Sequence, residues 1–385
     1  MLLYLVVFSI GLFLPGATSS ENYKSRECPC TISKLWLDIS FAIDNSESTA
    51  EGSLKNIAAT VGSIFGDVKV APGDGYHTRI AFATHASTVK AFDLDHFTSI
   101  ADLMNEIELV QPTEAAPNVT LGLMIADALF KGPHGFRQYV KPAIFLFVTD
   151  FREKDFNNTK NLASTVRQTG TEIIIVTFGL TDPTKIEALK EVASPGLLFS
   201  STTDDLSRRI QQKLCDINCF CKTQWHQLKS GDGDSAVKYG ECLKIGGMDA
   251  NWRAAKRVCI SLSHQQGHLV SILDETKHEF LIRTFMQDSR TEYPYMFHIG
   301  LSYDKEKETY VWEQPGKSSI PLSNEFTKWE SGFPDFKGNN GCVLNVQSEN
   351  LSSLKWQNVD CTHVSKKYIC QTNTCDTDNY CSDSD

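Results

Sequence analysis

Two hydrophobic patterns alternate along residues 33–215. Short runs such as AIFLFV and EIIIV have no polar alternation, which is typical of strands buried on both faces of a parallel sheet. Between them lie segments such as SLKNIAATVGSIF, in which Leu54, Ile57, Val61 and Phe65 recur at helical spacing. The predicted strands are LWLDISFAI, RIAFATHA, STVKAFDL, AIFLFVTD and EIIIVTFGL; the predicted helices are SLKNIAATVGSIF, SIADLMNEIELV, LGLMIADALF, NLASTVRQ, PTKIEALKEV and DDLSRRIQQKL. We therefore expect an α/β fold with a doubly wound, mostly parallel sheet.

The pattern changes in the second half of the chain, where short strands are broken by Gly, Pro and Asn. WRAAKRVCISLSHQQGHLVSILDETKHEFLIRTF predicts two helices around a turn, with Asp274 as the cap of the second. FHIGLSY and TYVWEQ flank the charged turn DKEKE as a hairpin, and GCVLNV and KKYICQ are further strands. This order predicts a separate α+β domain.

Cysteine spacing supports a division into two domains. The 385 residues exceed the usual size of one core, and the cysteine count of 12 is even. Cys28 and Cys30 stand alone at the start, and the next cysteine is Cys215. The other ten fall between Cys215 and Cys381, which places a boundary near Cys215 to Cys221. In an oxidising compartment these cysteines are expected to form disulfides.

Charge and the first residues indicate an extracellular protein. The formal net charge of -10 disfavours nucleic acid as a partner, because a phosphate backbone would be repelled. Residues 1–19 carry a short apolar run followed by small residues, which is typical of a secretion signal peptide. An uncleaved anchor is the alternative. No later run reaches the roughly 18 apolar residues that a membrane span needs.

Polar oxygen atoms follow two of the predicted strands. Asp44, Ser46 and Ser48 come directly after LWLDISFAI, and Asp150 ends AIFLFVTD. Ligands collect at the carboxyl ends of strands in such sheets, so the two carboxylates are expected to converge. Two carboxylates and two hydroxyls make an all-oxygen site of the kind that hard divalent cations prefer. A carboxylate from a partner could then complete the coordination.

The same residues have two other interpretations, a capping turn without a metal and a hydrolytic pair. Asp44, Ser46 and Ser48 could form a capping turn for the next helix, without a metal. Asp44 and Asp150 could instead be a metal-assisted hydrolytic pair, but no nearby His or Lys motif supplies an acid or a base. The sequence therefore does not indicate an enzyme.

The D-x-S-x-S pattern of Asp44, Ser46 and Ser48, with Asp150 in FVTD, resembles von Willebrand factor A domains over roughly residues 33–215. The resemblance implies a Mg²⁺-dependent or Mn²⁺-dependent adhesion site. The family also supplies a threonine ahead of a helix, and here Thr113 and Thr120 are candidates in unusual spacing, with Thr120 preferred. Asn118 in the same loop begins a glycosylation sequon, and a glycan there could crowd the metal.

The second half resembles a C-type lectin-like domain over roughly Cys221 to Gln371. The resemblance is carried by CISLSHQQGHLVSI, HIGL, VWEQPGKSSIPLSNEFTKWESGFPD, GCVLNV, WQNVDC and YICQ. It implies three disulfides, Cys259–Cys370, Cys342–Cys361 and Cys221–Cys242. Cys375 and Cys381 could then pair, and Cys28 and Cys30 could tie to Cys215 and Cys219 in an order that the sequence does not decide.

Family members that bind sugar through Ca²⁺ use acidic and amide residues that are mostly replaced here. The positions to compare are Phe333, Pro334, Asp335, Asn340, Gln357 and Asn358. Asp335 alone keeps a carboxylate, whereas Ca²⁺ needs six to eight oxygens and several negative charges. The resemblance therefore implies that the Ca²⁺ and sugar site is degenerate. Trp329 and Phe333 could form an exposed aromatic surface instead, unless Trp329 belongs to the core.

These observations predict a secreted recognition or adhesion protein with four segments. They are a signal peptide at 1–19, an A domain at 33–215, a lectin-like domain at 219–372 and an acidic tail at 373–385, which is expected to be disordered apart from its small cysteine loop. The expected partner is an extracellular protein that presents an acidic side chain, with glycans as further ligands. The alternative is a glycan-binding lectin in innate immune recognition whose A domain is only structural. Asn157 and Asn350 are further glycosylation sequons.

Overall fold

The structure is a computed structural model that describes residues 24–86, 89–231, 236–263, 266–347 and 353–381. The predicted signal peptide and Asn350 lie outside these residues. In the first domain a six-stranded sheet has the order β3-β2-β1-β4-β5-β6. All neighbouring strands are parallel except β3, which runs antiparallel to β2. The predicted doubly wound, mostly parallel sheet is confirmed.

The described part of the first domain has six strands and six α-helices, which follow one another in the order β1-α1-β2-β3-α2-α3-β4-α4-β5-α5-β6-α6. The strands are β1 (Leu37–Ile43), β2 (Arg79–Thr84), β3 (Ala91–Phe92), β4 (Lys141–Val148), β5 (Glu172–Thr177) and β6 (Leu198–Ser200). The helices are α1 (Glu51–Phe65), α2 (Ile100–Glu108), α3 (Val119–Leu129), α4 (Phe156–Gln168), α5 (Pro183–Val192) and α6 (Leu206–Asn218). The short edge strand β6 was not predicted.

The apolar strands form two cores, one on each face of this sheet. On one face, Phe41 and Phe145 pack against Phe65 of α1, together with side chains of α2 and α6. On the other face, Ile144 and Leu146 pack with residues of α3, α4 and α5. Because both faces are covered, the sheet leaves only its strand ends free for a site.

The second domain is an α+β unit built around a nine-stranded sheet. Its strands are β7 (His226–Ser230), β8 (Val237–Ile245), β9 (His268–Leu269), β10 (Met296–Asp304), β11 (Thr309–Glu313), β12 (Ser319–Pro321), β13 (Cys342–Gln347), β14 (Leu354–Val359) and β15 (Lys367–Asn373). Its helices are α7 (Trp252–Ser261) and α8 (Glu275–Gln287). Asp274 caps α8 as predicted, because its side chain accepts a hydrogen bond from the Lys277 amide. The predicted hairpin is β10 and β11.

All 12 cysteines are in disulfides. Four bonds lie in the second half: Cys221–Cys242, Cys259–Cys370, Cys342–Cys361 and Cys375–Cys381. The order that the sequence left open is Cys28–Cys219 and Cys30–Cys215. Among the described residues, no helix is both long and apolar enough to cross a bilayer.

The tail was predicted to be disordered apart from its small cysteine loop, and the described residues 374–381, which contain the Cys375–Cys381 loop, are ordered. Asp376 is fully buried and forms an ion pair with Arg26, in which the Nη1 to Oδ2 distance is 2.6 Å. The Tyr380 ring stacks on Tyr76 of the first domain at 4.4 Å between centroids, and it meets Trp36 edge to face. These aromatic contacts bury apolar surface of the tail, so the tail is ordered at the junction of the two domains although its composition is acidic.

The start of the described chain also joins the two domains. The Gly240 amide of β8 donates to the Arg26 carbonyl, and the Arg26 amide donates to the Glu241 carboxylate. Cys28, two residues further on, is bonded to Cys219 at the end of α6. This segment therefore connects β8 of the second domain to the end of α6 in the first domain.

Candidate metal centre

Asp44 and Asp150 follow neighbouring parallel strands at the same edge of the sheet. Ile43 at the end of β1 pairs with Phe147 near the end of β4. The Asp44 amide continues the ladder by donating to the Phe147 carbonyl over 3.2 Å. The Asp44 carboxylate then reaches Thr149, the residue before Asp150. The register thus places the two predicted carboxylate residues in adjacent loops.

Asp44 is a fully buried carboxylate held by neutral donors. Its Oδ1 accepts from the Ser46 amide at 2.9 Å. Its Oδ2 accepts from the Thr149 hydroxyl at 2.6 Å and from the Thr149 amide at 3.3 Å. Thr49 braces the same loop, since its hydroxyl donates to the Asp44 carbonyl and is 3.1 Å from the Thr149 hydroxyl. Sequence analysis identified neither threonine as part of the site.

Ser46 and Ser48 differ in their surroundings. The Ser46 hydroxyl is buried and has no hydrogen-bond partner among the described residues, although a buried hydroxyl normally has one. Ser48 is exposed. A buried carboxylate without a cation, beside an unpartnered buried hydroxyl, fits a hard divalent ion that prefers oxygen ligands. The residues around Asp44 therefore fit the metal that the sequence predicts.

Asp150 is only partly buried and already has a cationic partner. Its Oδ1 lies 2.5 Å from the Nζ of Lys185 in α5, and it also accepts from the Phe151 amide at 2.8 Å. The Asp150 carboxylate raises the pKa of Lys185, so the ammonium stays charged. A metal ion at this site would share Asp150 with that ammonium. Sequence reasoning missed Lys185, because it lies 35 residues further along the chain.

The loop before α3 contacts the Asp44 loop through Thr113, not through the preferred Thr120. The amide and hydroxyl of Thr113 both donate to the Asn45 carbonyl, at 2.8 Å and 2.9 Å. The Thr120 hydroxyl is instead 2.6 Å from the Thr159 hydroxyl of α4. Asn118 caps α3 by accepting from the Leu121 amide. Thr120 is thus held by a contact with α4 and not by one with the Asp44 loop.

His85 follows β2 and fills the space beneath the Asp44 loop. Its amide donates to the Ile43 carbonyl, its side chain is fully buried, and a Cβ on Gly122 would come within 2.7 Å of its ring. Burial lowers the pKa of His85, although the nearby Asp44 carboxylate opposes this shift. The neutral ring therefore supplies no charge to balance Asp44. Within the described residues, no group of three or more His, Cys, Asp or Glu side chains is placed to hold a metal.

In the second domain, Asn358 joins residues at the position where the sequence predicts a degenerate sugar site. Its Oδ1 accepts from the Asp335 amide, and its Nδ2 donates to the carbonyls of Asp335 and Asn340, all at 2.7 Å. The Phe333–Pro334 peptide bond is cis. The Gln357 amide donates to Glu330, a carboxylate that the sequence did not indicate. A neutral amide thus joins backbone groups at the position where the family would use a charged ligand.

Of the two predicted surface aromatics, Trp329 packs onto the domain core. Its ring meets Tyr310 at 5.0 Å and Trp356 at 5.8 Å between centroids. The exposed aromatic nearby is Phe336, which is 70% exposed and lies edge to face with Tyr303. The sequence missed Phe336 because nothing in its loop shows which of the aromatic residues packs inward.

The described sequon residues differ in exposure. Asn157 is exposed near the start of α4, and its sequon partner Thr159 is buried. Asn118 is half-buried in its capping position.

Comparison with known families matches both halves of the chain. Residues 38–213 match the von Willebrand factor type A domain, and residues 249–372 match the Lectin C-type domain. The chain therefore carries a von Willebrand factor A domain followed by a C-type lectin domain.

A relative with a similar sequence is the C-type lectin domain-containing protein 160 of Caenorhabditis elegans. The two are 29% identical over 374 residues, which cover 93% of this chain but only 56% of that protein. Among solved structures, proximal thread matrix protein 1 of the mussel byssus, with a zinc-occupied MIDAS motif, is 18% identical; it covers 49% of this chain and 48% of its own, with a TM-score of 0.39. The lectin CEL-I of Cucumaria echinata is 20% identical and covers 39% of this chain and 96% of its own, with a TM-score of 0.30.

Proposed function

We propose that this chain is a secreted recognition protein that binds another protein through a divalent metal ion at Asp44. The observation that carries the proposal is the buried Asp44 carboxylate, which has only neutral donors, beside the unpartnered hydroxyl of Ser46. The six disulfides and the lectin relatives support an extracellular location.

Asp44, Ser46, Ser48 and Asp150 would hold Mg²⁺ or Mn²⁺, and Thr149 and Thr49 orient Asp44. A bound ion would supply a positive centre with a coordination position open to an acidic side chain of the partner. Thr120 is a weaker candidate ligand, because its hydroxyl is engaged by Thr159. Ser48, at the exposed end of the loop, lies where a partner can reach it.

We propose that the lectin-like domain recognises its ligands without Ca²⁺. Asn358 uses both of its amide hydrogens and one acceptor position of Oδ1 in hydrogen bonds to Asp335 and Asn340, so its side chain is held by backbone groups and carries no charge for an ion. Exposed Phe336 beside Tyr303 favours glycan binding as a second function of this domain, since sugar rings stack on aromatic faces.

Binding to arrays of extracellular proteins and of glycans, each in Mg²⁺ and in EDTA, separates this proposal from its rival. We expect binding to a protein that is lost in EDTA and in Asp44→Ala. A glycan-binding lectin with a purely structural A domain predicts binding that survives both and competes with free sugar. Protein binding that is unchanged in Asp44→Ala would contradict the proposal.

Lys185→Met should strengthen metal binding. The Lys185 ammonium forms an ion pair with the Asp150 carboxylate, with 2.5 Å between Nζ and Oδ1, and it repels a cation bound beside it. Its removal should tighten Mn²⁺ binding about fivefold, the equivalent of about 1 kcal/mol for a partly exposed ion pair. Lys190→Met on the same helix is the matched control, because that lysine pairs with Glu187 and not with Asp150. Isothermal titration with Mn²⁺ measures both. Equal affinities in the two variants would refute a role for Lys185.

Asn358→Asp should lower the melting temperature of the lectin-like domain and should not create a Ca²⁺ site. The new carboxylate would face the carbonyls of Asp335 and Asn340 and lose both donated hydrogen bonds, at a cost of about 2 kcal/mol. Thermal melts with and without a few millimolar Ca²⁺, the range of weak extracellular sites, give the readout. The native chain should melt at the same temperature in both. A rise in its melting temperature with Ca²⁺ would show that the site is intact.

A further inference from the structure

A cleft of about 720 Å³ lies between the two domains, far from Asp44. Lys141 and Glu172 line it from the first domain, at the amino ends of β4 and β5. Asp44 follows the carboxyl end of β1, so the two features are at opposite edges of the same sheet. From the second domain the cleft is lined by β7, β8 and α8, which include Lys229, Lys238 and Phe280. Nothing in the proposed metal-dependent function uses this cleft.

Three lysines meet in the cleft without an ion pair among the described residues: Lys141, Lys229 and Lys238. Lys229 and Lys238 are directly opposite each other on β7 and β8. Like charges in such a cross-strand pair destabilise a sheet. Burial lowers the pKa of Lys238, the Glu172 carboxylate opposes this shift, and the repulsion from Lys229 adds to it. Glu172 compensates part of this charge, and further negative charge in the cleft would stabilise the pair of lysines.

The carboxylates of the cleft do not balance these lysines. Asp288 is paired with Arg290, and Asp216 nearby is paired with Lys213. Glu172 is left as the one lining carboxylate outside an ion pair within the described part of the chain. Three ammonium groups against one carboxylate leave a cationic cleft on a protein whose net charge is -10.

Aromatic rings lie among these lysines. The Nζ of Lys141 is 5.1 Å from the centre of the Phe220 ring. A second cavity of about 500 Å³ shares Lys141, Phe220 and Trp225 with the cleft. It adds Lys244, whose Nζ is 5.7 Å from the centre of the Trp225 ring. Because they share these lining residues, the two cavities form one interdomain groove, whose volume exceeds that of one small anion.

We propose that this interdomain groove binds a sulfated polysaccharide. The described lining of the cleft contains lysines but no arginine. A lysine ammonium is a compact point charge without the planar fork that pairs bidentately with one oxyanion, so these lysines attract a ligand by its charge density, which is high in a sulfated polymer. The rings of Phe220 and Trp225 offer apolar faces to the sugar units. An acidic polypeptide is the rival ligand, and the test below separates the two.

Affinity for heparin and dextran sulfate tests the proposal on the full chain, with hyaluronan and polyglutamate as unsulfated polyanions. We expect the two sulfated polymers to bind at low salt in the presence of EDTA and the other two to bind much more weakly. Affinity should fall steeply as salt rises, because binding releases counterions from the polymer. Because EDTA removes the metal, a lack of heparin binding in EDTA would not contradict metal-dependent protein binding at Asp44. Loss of that protein binding in Asp44→Ala would likewise not contradict heparin binding in the groove.

Lys229→Gln/Lys238→Gln is the decisive variant. It should weaken heparin binding by about tenfold and flatten the salt dependence, as two fewer counterions are released. Lys160→Gln/Lys190→Gln makes the same change in net charge on α4 and α5, where both lysines pair with glutamates, and should leave binding unchanged. The cleft variant should also melt at a higher temperature than the native chain without ligand, because the cross-strand repulsion is gone. Equal losses in both double variants, or binding of polyglutamate as tight as that of heparin, would overturn the proposal.

Discussion

Asp38→Ala is expected to destabilise the A domain by about 3–5 kcal/mol, because it would remove the buried carboxylate that Arg79 and Arg137 share. Asp38 in β1 is fully buried and accepts five hydrogen bonds. Two come from the Arg79 guanidinium, and three come from the guanidinium and amide of Arg137. Both arginine side chains are at most 10% exposed, so water cannot replace the lost carboxylate.

Asp95→Ala is the matched control for this prediction. Asp95 also pairs with Arg79, over 3.3 Å, but its side chain is 29% exposed. A partly exposed pair contributes about 1 kcal/mol or less. Urea denaturation of the two variants should therefore differ by more than about 2 kcal/mol. A loss of similar size in both would mean that Asp38 is not the centre of the buried network.

Acidification from pH 7 to pH 5 is expected to cost the lectin-like domain roughly 4 kcal/mol. Burial lowers the pKa of His268 to about 4 and that of His298 to about 4. In the unfolded chain a histidine has a pKa of about 6.5, so the unfolded state binds more protons between these values. The contribution of the two neutral histidines to the free energy of unfolding is thus fully present above pH 6.5 and is lost as the pH falls towards 4. By pH 5 the loss is roughly 2 kcal/mol for each histidine.

His268→Leu should remove about half of this pH dependence. Neither ring nitrogen of His268 has a hydrogen-bond partner among the described residues, so an apolar replacement costs little at pH 7. Urea denaturation followed by tryptophan fluorescence reports mainly on this domain, because five of the six tryptophans lie beyond residue 220. Burial also lowers the pKa of His278, which adds to the same trend. An unchanged pH profile in His268→Leu would contradict the assignment.

Much of the fold could be predicted because the apolar patterns match the elements. AIFLFV became β4 and SLKNIAATVGSIF became α1, since both segments are buried in the way their periodicity indicates. The short strand β6 was missed because three residues carry no periodicity. The cysteine loop of the tail was predicted, but its contacts with Trp36, Tyr76 and Arg26 were not, because those residues lie in distant segments.

Only the part of the candidate site that follows from strand order could be predicted. Asp44 and Asp150 were placed together because parallel strands end at the same edge of a sheet. The contacts made by Lys185, Thr149 and His85 depend on the paths of separate loops, which local patterns do not encode. For the same reason the spacing in one loop does not indicate that Thr113 contacts the Asp44 loop and that Thr120 contacts Thr159.

Direct measurement of Mn²⁺ binding to the native chain and to Asp44→Ala tests the central claim. The free and bound ion can be distinguished by electron paramagnetic resonance. The account predicts one Mn²⁺ per native chain, displaced by excess Mg²⁺, and no such binding in Asp44→Ala when that variant is folded. Absence of Mn²⁺ binding to the native chain, or equal binding by both proteins, would contradict it.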